Sequence, residues 1–380
     1  MKLLDDILVL DFSQYLAGPW TAVKLADFGA RVIKIERPGS GDNSRRLILS
    51  NLLIDGDSSV FHSMNRNKES YAANLKDTDD LRKVKELIKK ADVMIENFRP
   101  GIMEKIGLGY EEVKKLNPGI IYTSVTGYGA EGPLKGKPGQ DLLVQSLSGI
   151  PWLNGNADQA PVPVGLAVVD QFTTANAVQA ILASLIRRSR TGEGARVELS
   201  LIESAIDFQF EVLTTYLNNG EKMSERSKVN NAHNFLGAPY GIYKTKDSFI
   251  ALSMGPLQVL ADLLECEGLK RYSDPDEWFD KRDEIKQTLA EHMPGRTTEE
   301  WLAVLEPADY WCARVNTTRE LLEDEGLSRA DMIQEIKRKN GTTLKTTRTP
   351  VRIDGDKLFC SKGAPVLGED TDAINKEFGL

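Results

Sequence analysis

The strongest constraint on this chain lies near its start. The apolar run ILVLDF (7–12) is followed by a Gly18-Pro19 helix opening, a helical stretch over 20–28, a Gly29 stop and a second apolar run, RVIKIE (31–36). Proline is tolerated in a first helical turn and glycine ends helices. Two strands joined by one short helix run parallel, with a right-handed crossover. The pattern recurs. Leu81, Val84, Leu87 and Ile88 fall on one face of a helix over 79–91, and ADVMIENF and IIYTSVTG then read as strands. Such alternation predicts an α/β fold built on a doubly wound parallel sheet.

Residues 127–165 are rich in Gly and Pro, with a short helical stretch at 142–147. A long helix is expected from about Gln171 to Arg188, then a strand RVELS. Ser200 and Glu203 have the spacing of a capping box opening a helix to about Asn218. The texture changes near 221. We expect a large domain over 1–220, a smaller α+β domain over 221–325, and a tail over 326–380 that returns to the first.

Charge and rare residues narrow the function. The chain has 48 Lys and Arg against 56 Asp and Glu, a net charge of −8, which argues against nucleic acid or an anionic membrane surface as partner. An anionic ligand would need a local basic pocket. Asp5, Asp6 and Asp11 interrupt the N-terminal apolar run, so it reads as neither a signal h-region nor a spanning helix. Cys266, Cys312 and Cys360 are few and scattered, as in a reducing, cytoplasmic setting. His62, His233 and His292 lack partners at metal-ligand spacing, so no metal is expected. The chemistry must rest on carboxylates, amides and backbone.

Gly127 to Gly132 matches G-x-G-x-x-G after a strand, but Pro133, Gly136 and Pro138 follow where a phosphate-facing helix should start. It reads as a tight loop. Arg37, Arg45 and Arg46 follow one strand, and Asn97, Phe98, Arg99 and Lys105 follow another. That edge of an open α/β sheet is where ligands bind. Together they suit a nucleotide-like anion, with arginine stacking on a base and lysine facing phosphate. Asp170 closes PVPVGLAVVD ahead of the long helix. Spacing leaves it open whether Asp170 is a helix N-cap or a carboxylate nucleophile.

The ordered blocks LDFSQYLAGPWTAVKLADFGARVIKIERPGSGD, NRNKES, ADVMIENFRPG, LNPGIIYTSVTGYGAEGP, PGQDLLVQSLSG and VVDQFTTANAVQAILASL resemble the class III CoA-transferases, over about residues 5–205, with a weaker match at GAPVLGEDT. The resemblance implies a Rossmann-like large domain, an interlocked homodimer, and coenzyme A thioesters as substrates in place of a bound cofactor. It implies that Asp170 is the nucleophile, passing through an aspartyl anhydride and an aspartyl-CoA thioester. It places Arg37 against the adenine, Asn97 and Phe98 beside CoA, and Lys105 at a phosphate. Tyr15 and Leu16 fall where relatives line the active site, and Gln140 and Gly237 complete the expected substrate-binding set. The related α-methylacyl-CoA racemases carry His where Gln140 stands, and an amide cannot abstract an α-proton. A racemase is the alternative from the same fold, and a non-catalytic CoA-binding protein with Asp170 as a plain helix cap is the other.

Overall fold

The structure, a computed structural model, describes residues 3–223 and 225–380. The chain forms two compact units, one of Met1–Val144, Ala167–Phe208 and Ala330–Leu380, the other of Gln145–Leu166 and Gln209–Arg329. The second unit therefore takes in more than the 221–325 segment that the change of texture marks.

The first unit is built on six strands: β1 (Leu8–Asp11), β2 (Arg31–Glu36), β3 (Lys68–Ala72), β4 (Val93–Glu96), β5 (Ile121–Thr126) and β6 (Ala195–Ser200). They pair in the order β3-β2-β1-β4-β5-β6, all parallel. The helices used below are α1 (Ala17–Asp27), α2 (Thr78–Ile88), α3 (Ile102–Ile106), α4 (Asp141–Ser148), α5 (Val168–Thr191) and α6 (Leu201–Phe208). Period-two alternation of buried strands explains the layering. Val9, Val32, Val93 and Val197 face α1 and α5 in one core, where Leu25, Ala26 and Ile181 meet them. Leu10, Ile33, Met94 and Tyr122 face the other core, with Val84, Leu87 and Ile88 of α2. From β1 the chain winds outward to β2 and β3, then returns to β4 and winds the other way. The topological switch point thus lies between β1 and β4.

Several local expectations move. α1 starts at Ala17, so Gly18 and Pro19 lie inside its first turn. The helix expected from Ser200 to Asn218 is broken at Gln209 into α6 and a second helix, Phe210–Asn218. Strand β3 has no counterpart in the sequence reading. Its outer edge is covered by the tail: the Ser70 N–H donates to Asp370 Oδ2 at 2.8 Å, the Ala72 N–H to Thr371 Oγ1 at 2.9 Å, and the Tyr71 hydroxyl to Asn375 Oδ1 at 2.8 Å. These bonds occupy edge donors that would otherwise template aggregation.

The second unit has a three-stranded antiparallel sheet, β7 (Gly241–Lys244), β8 (Phe249–Leu252) and β9 (Cys312–Arg314), with β8 central. Tyr243, Ile250 and Leu252 bury one face against Leu260, Leu289 and Trp301. The Trp301 indole N–H donates to the Met293 carbonyl at 2.8 Å, so its burial leaves no donor unmet.

Candidate active site

The loop leaving β1 sits at the switch point, and the amides of Ser13, Gln14 and Tyr15 are held by side-chain oxygens. The Ser13 N–H donates to Asp11 Oδ1 at 2.9 Å, the Gln14 N–H to Asn97 Oδ1 at 2.8 Å, and the Tyr15 N–H to Asp42 Oδ1 at 3.2 Å. Asn97 also donates back to the Gln14 carbonyl at 2.7 Å, so its amide joins the ends of β1 and β4. Tyr15 is left-handed, with φ of 66°, and its side chain is exposed. A non-glycine residue in that region is strained unless its surroundings impose it, and here three fixed amides do. Gly18 completes the turn, because a Cβ there would lie 2.3 Å from Ser13 Cβ. Gly18→Ala should therefore cost about 1–3 kcal/mol through overpacking. Urea denaturation of the variant checks this, and an unchanged midpoint would contradict it.

Beneath the loop lies a buried ionic cluster. Lys34 Nζ reaches the Ser13 carbonyl at 2.7 Å and Asp42 Oδ2 at 2.8 Å, while Lys68 Nζ reaches Asp11 Oδ2 at 2.7 Å and the Pro19 carbonyl at 2.9 Å. Burial pulls the Lys68 ammonium down to about 8 against the attraction of Asp11. Burial opposes ionisation of Asp11 too, but the charges of Lys34 and Lys68 prevail and hold it at about 2.

A cleft of about 310 Å³ opens over the carboxyl ends of β1, β2, β3 and β4. Its apolar walls come from Phe12, Ile35, Phe98, Ile102 and Ile106, and Arg37 and Lys76 bring two cations to it. Apolar walls with cations beside them suit a purine carrying phosphates. Arg37 and Phe98 are thus brought together, with Asn97 adjacent. Lys105 is exposed on α3, between turns whose Ile102 and Ile106 line the cleft, and is not itself a lining residue. Arg45 is not available to an anion: it is buried, paired with Glu36 at 2.7 Å and Asp57 at 2.9 Å, and stacked on Phe61 at 3.8 Å. The sequence reading missed the Asn74–Lys76 segment of the cleft. Recognising β3 would have found it, since that segment follows a strand end.

Asp170 corrects the N-cap reading. α5 begins at Val168 behind Ala167, which offers no capping side chain, so Asp170 lies within the first turn. Its own N–H donates to Asp141 Oδ2 at 3.0 Å. One turn on, Thr174 Oγ1 donates to the Ala17 carbonyl at 3.0 Å, which ties this end of α5 to the residues just after Tyr15 and Leu16. Burial, then the charge of Asp141, push the Asp170 carboxyl up to about 7. Gln140 is exposed and directly precedes Asp141. Gly237 belongs to the second unit, where a Cβ would lie 3.2 Å from the backbone of Trp278 and Phe279. Glu96, also missed, is buried at the end of β4. It accepts the Phe98 N–H at 2.8 Å, and burial raises its carboxyl to about 7.

Other groups are engaged structurally. His62 Nε2 meets the Ile54 carbonyl and His292 Nε2 the Leu264 carbonyl, each at 2.8 Å. Gly127 and Gly139 pack backbone to backbone, a Cβ on Gly127 lying 2.5 Å from Gly139 Cα, so the G-x-G-x-x-G match is a close chain crossing. Among the described residues no group of three or more His, Cys, Asp or Glu is arranged to hold a metal ion, and no helix is long and apolar enough to cross a membrane.

Residues 4–371 match the model of CoA-transferase family III. The chain is 33% identical over 383 residues to a succinyl-CoA:glutarate CoA-transferase of Mus musculus, covering 99% of this chain and 86% of that one. It is 32% identical over 398 residues to a succinyl-CoA:mesaconate CoA-transferase of Haloarcula marismortui, covering 100% and 97%. A CAIB/BAIF family protein from Brucella suis superposes with a TM-score of 0.83 at 29% identity, covering 98% of each chain. With the parallel sheet and its switch-point cleft, these matches make the chain an enzyme, a transferase of coenzyme A, and a member of CoA-transferase family III.

Proposed function

We propose that this enzyme moves CoA from an acyl-CoA donor to a carboxylic acid acceptor through covalent stages on Asp170. The observation that carries the reading is a partly buried carboxylate at the start of α5, tied by Thr174 to the helix that follows the Tyr15–Leu16 loop. The Asp170 carboxylate attacks the donor carbonyl, the C–S bond breaks, and CoA leaves as thiolate, so Asp170 becomes a mixed anhydride. The aspartyl carbonyl then takes the thiolate and releases the donor acid, leaving an aspartyl-CoA thioester. The acceptor carboxylate reverses the two steps and regenerates Asp170. The anhydride retains the activation of the thioester, so no nucleotide is consumed, provided water is excluded.

Arg37, Lys76, Asn97 and Phe98 are the CoA-binding set in this reading. Lys105 serves as an outer phosphate contact, and Tyr15, Leu16 and Gln140 as substrate contacts. The donors and acceptors named for the relatives make dicarboxylates the first acids to test. Exposed Leu47, Ile48, Leu49, Leu52 and Leu53 form an apolar run that fits a homodimer contact. Cys266, Cys312 and Cys360 form no disulfide among the described residues, which fits a reducing cytoplasm.

The test is incubation with succinyl-CoA and glutarate, mesaconate or oxalate, following new CoA esters by chromatography and CoA on the Asp170 peptide by mass spectrometry. Both are expected. Exchange of α-hydrogen for deuterium without acyl exchange would replace this reading with racemisation. Arg37→Ala should raise KM for the CoA ester about tenfold, as removing one stacked or phosphate-facing cation does. It should leave the KM for the acceptor acid unchanged, and equal shifts in both would remove Arg37 from the CoA site.

A further inference from the structure

We propose that Asp141 is a positioning residue for CoA transfer: its Oδ2, hydrogen bonded to the Asp170 N–H, fixes a negative charge beside a carboxylate that is anionic only between covalent stages. The inference rests on Asp170 being the nucleophile, and it assigns a role to a residue outside the set above. Asp141 is the first residue of α4, only 5% exposed, and its oxygen lies 3.0 Å from the backbone nitrogen of Asp170. That bond ties the start of α5 to Asp141 and holds the charge of Asp141 close enough to act on the Asp170 carboxyl.

The proximity has a chemical consequence. When free, Asp170 must be ionised to attack. A second negative charge near it, in a partly buried site, raises the energy of that ionised form. Once Asp170 is an anhydride or a thioester it carries no charge, and the repulsion is gone. Asp141 therefore favours the covalent stages over the resting state. It also makes Asp170 more basic, hence a better nucleophile, as the raised value near 7 agrees.

No other charge takes this place. On α1, Lys24 and Asp27 lie at the far end; on β6, Arg196 and Glu198 pair with each other at 2.7 Å; on α6, Glu203 is held by Ser200 and Asp207 is exposed. On β5 the ionisable group is Tyr122, whose hydroxyl donates to the Leu108 carbonyl at 3.2 Å. Among the described residues, the charge that acts on Asp170 is that of Asp141.

The test is Asp141→Asn, whose amide oxygen still accepts the Asp170 N–H while the charge is lost. The acid limb of kcat/KM is expected to fall near pH 7 in the native enzyme and about one pH unit lower in the variant. The fraction of enzyme held as the CoA adduct should drop about tenfold, the same change read as an equilibrium. An unmoved limb and an unchanged adduct overturn the role of Asp141. If the variant does not fold, the native enzyme decides alone, because adduct formation that switches on near pH 4 overturns the inference as well. Asp170→Ala separates the two readings. An adduct that persists in it removes Asp170 as nucleophile, whereas loss of the adduct there with an unmoved limb in Asp141→Asn removes only the role of Asp141.

Discussion

Asp170→Asn is expected to lower turnover by at least about 10⁴-fold, about 5.5 kcal/mol of barrier, while folding and CoA binding persist. The amide keeps nearly the same shape and the same backbone N–H, so the 3.0 Å bond to Asp141 survives. What is lost is the oxygen nucleophile. Stability supplies a second readout with a defined sign. Burial and Asp141 raise the Asp170 carboxyl from 3.8 to about 7 in the folded protein. A carboxyl raised on folding is fully compatible with the fold below its unfolded value and costs stability as pH climbs from about 4 to about 7. Asp170→Asn escapes that cost. At pH 8 it should therefore melt at a higher temperature than the native enzyme, with the two converging near pH 4. An inactive but more stable variant is the signature of a site under functional strain. A variant that retained transfer would transfer the chemistry to another group, and one that lost stability at pH 8 would mean that Asp170 has a structural partner instead.

The parts of this molecule that could be read in advance are those whose residues face one environment. β1 and β4 read as short apolar runs, and β2 and β5 keep enough Ile, Val and Tyr around their polar residues to read as strands, so the parallel sheet and its ligand-binding edge followed directly. β3 did not, because KESYA places Lys68 and Ser70 in full burial, and only the distant Asp11 and Glu36 make that tolerable. Overlooking it hid Asn74 and Lys76 of the cleft. Arg45 looked like a free cation for the same reason, since its partners Glu36 and Asp57 stand nine and twelve residues away. Spacing left Asp170 open between cap and nucleophile, because an acidic residue before a helical run has the pattern of a cap. The helix starts two residues earlier without any capping side chain. Asp141 carried no signal of its own, because its role depends on a contact 29 residues along the chain.

Asp11→Asn is expected to destabilise the first unit by about 3–5 kcal/mol, the cost of leaving buried charge without its partner. Asp11 is wholly buried, bonded to Lys68 at 2.7 Å, and it also accepts from the Ser13 amide and hydroxyl. An amide in its place would leave the Lys68 ammonium, already down at about 8, hydrogen bonded only to neutral acceptors, beside the positive charge of Lys34 and with only the charge of Asp42 to offset it. The damage should be local first. Hydrogen exchange followed by mass spectrometry should show loss of protection over residues 8–19, which carry β1 and the Ser13–Tyr15 loop. The acid dependence checks the electrostatic origin. Asp11 titrates near 2 in the fold against 3.8 unfolded, so its contribution is present above about pH 4 and disappears as pH falls from 4 to 2. The gap between native and variant should therefore be full at pH 7 and close near pH 2. Asp11→Asn combined with Lys68→Met should regain part of the loss, because removing both charges is less costly than stranding one. A gap that stays constant with pH, or no recovery in the double variant, would show that shape and hydrogen bonding, not charge, hold the floor of the site.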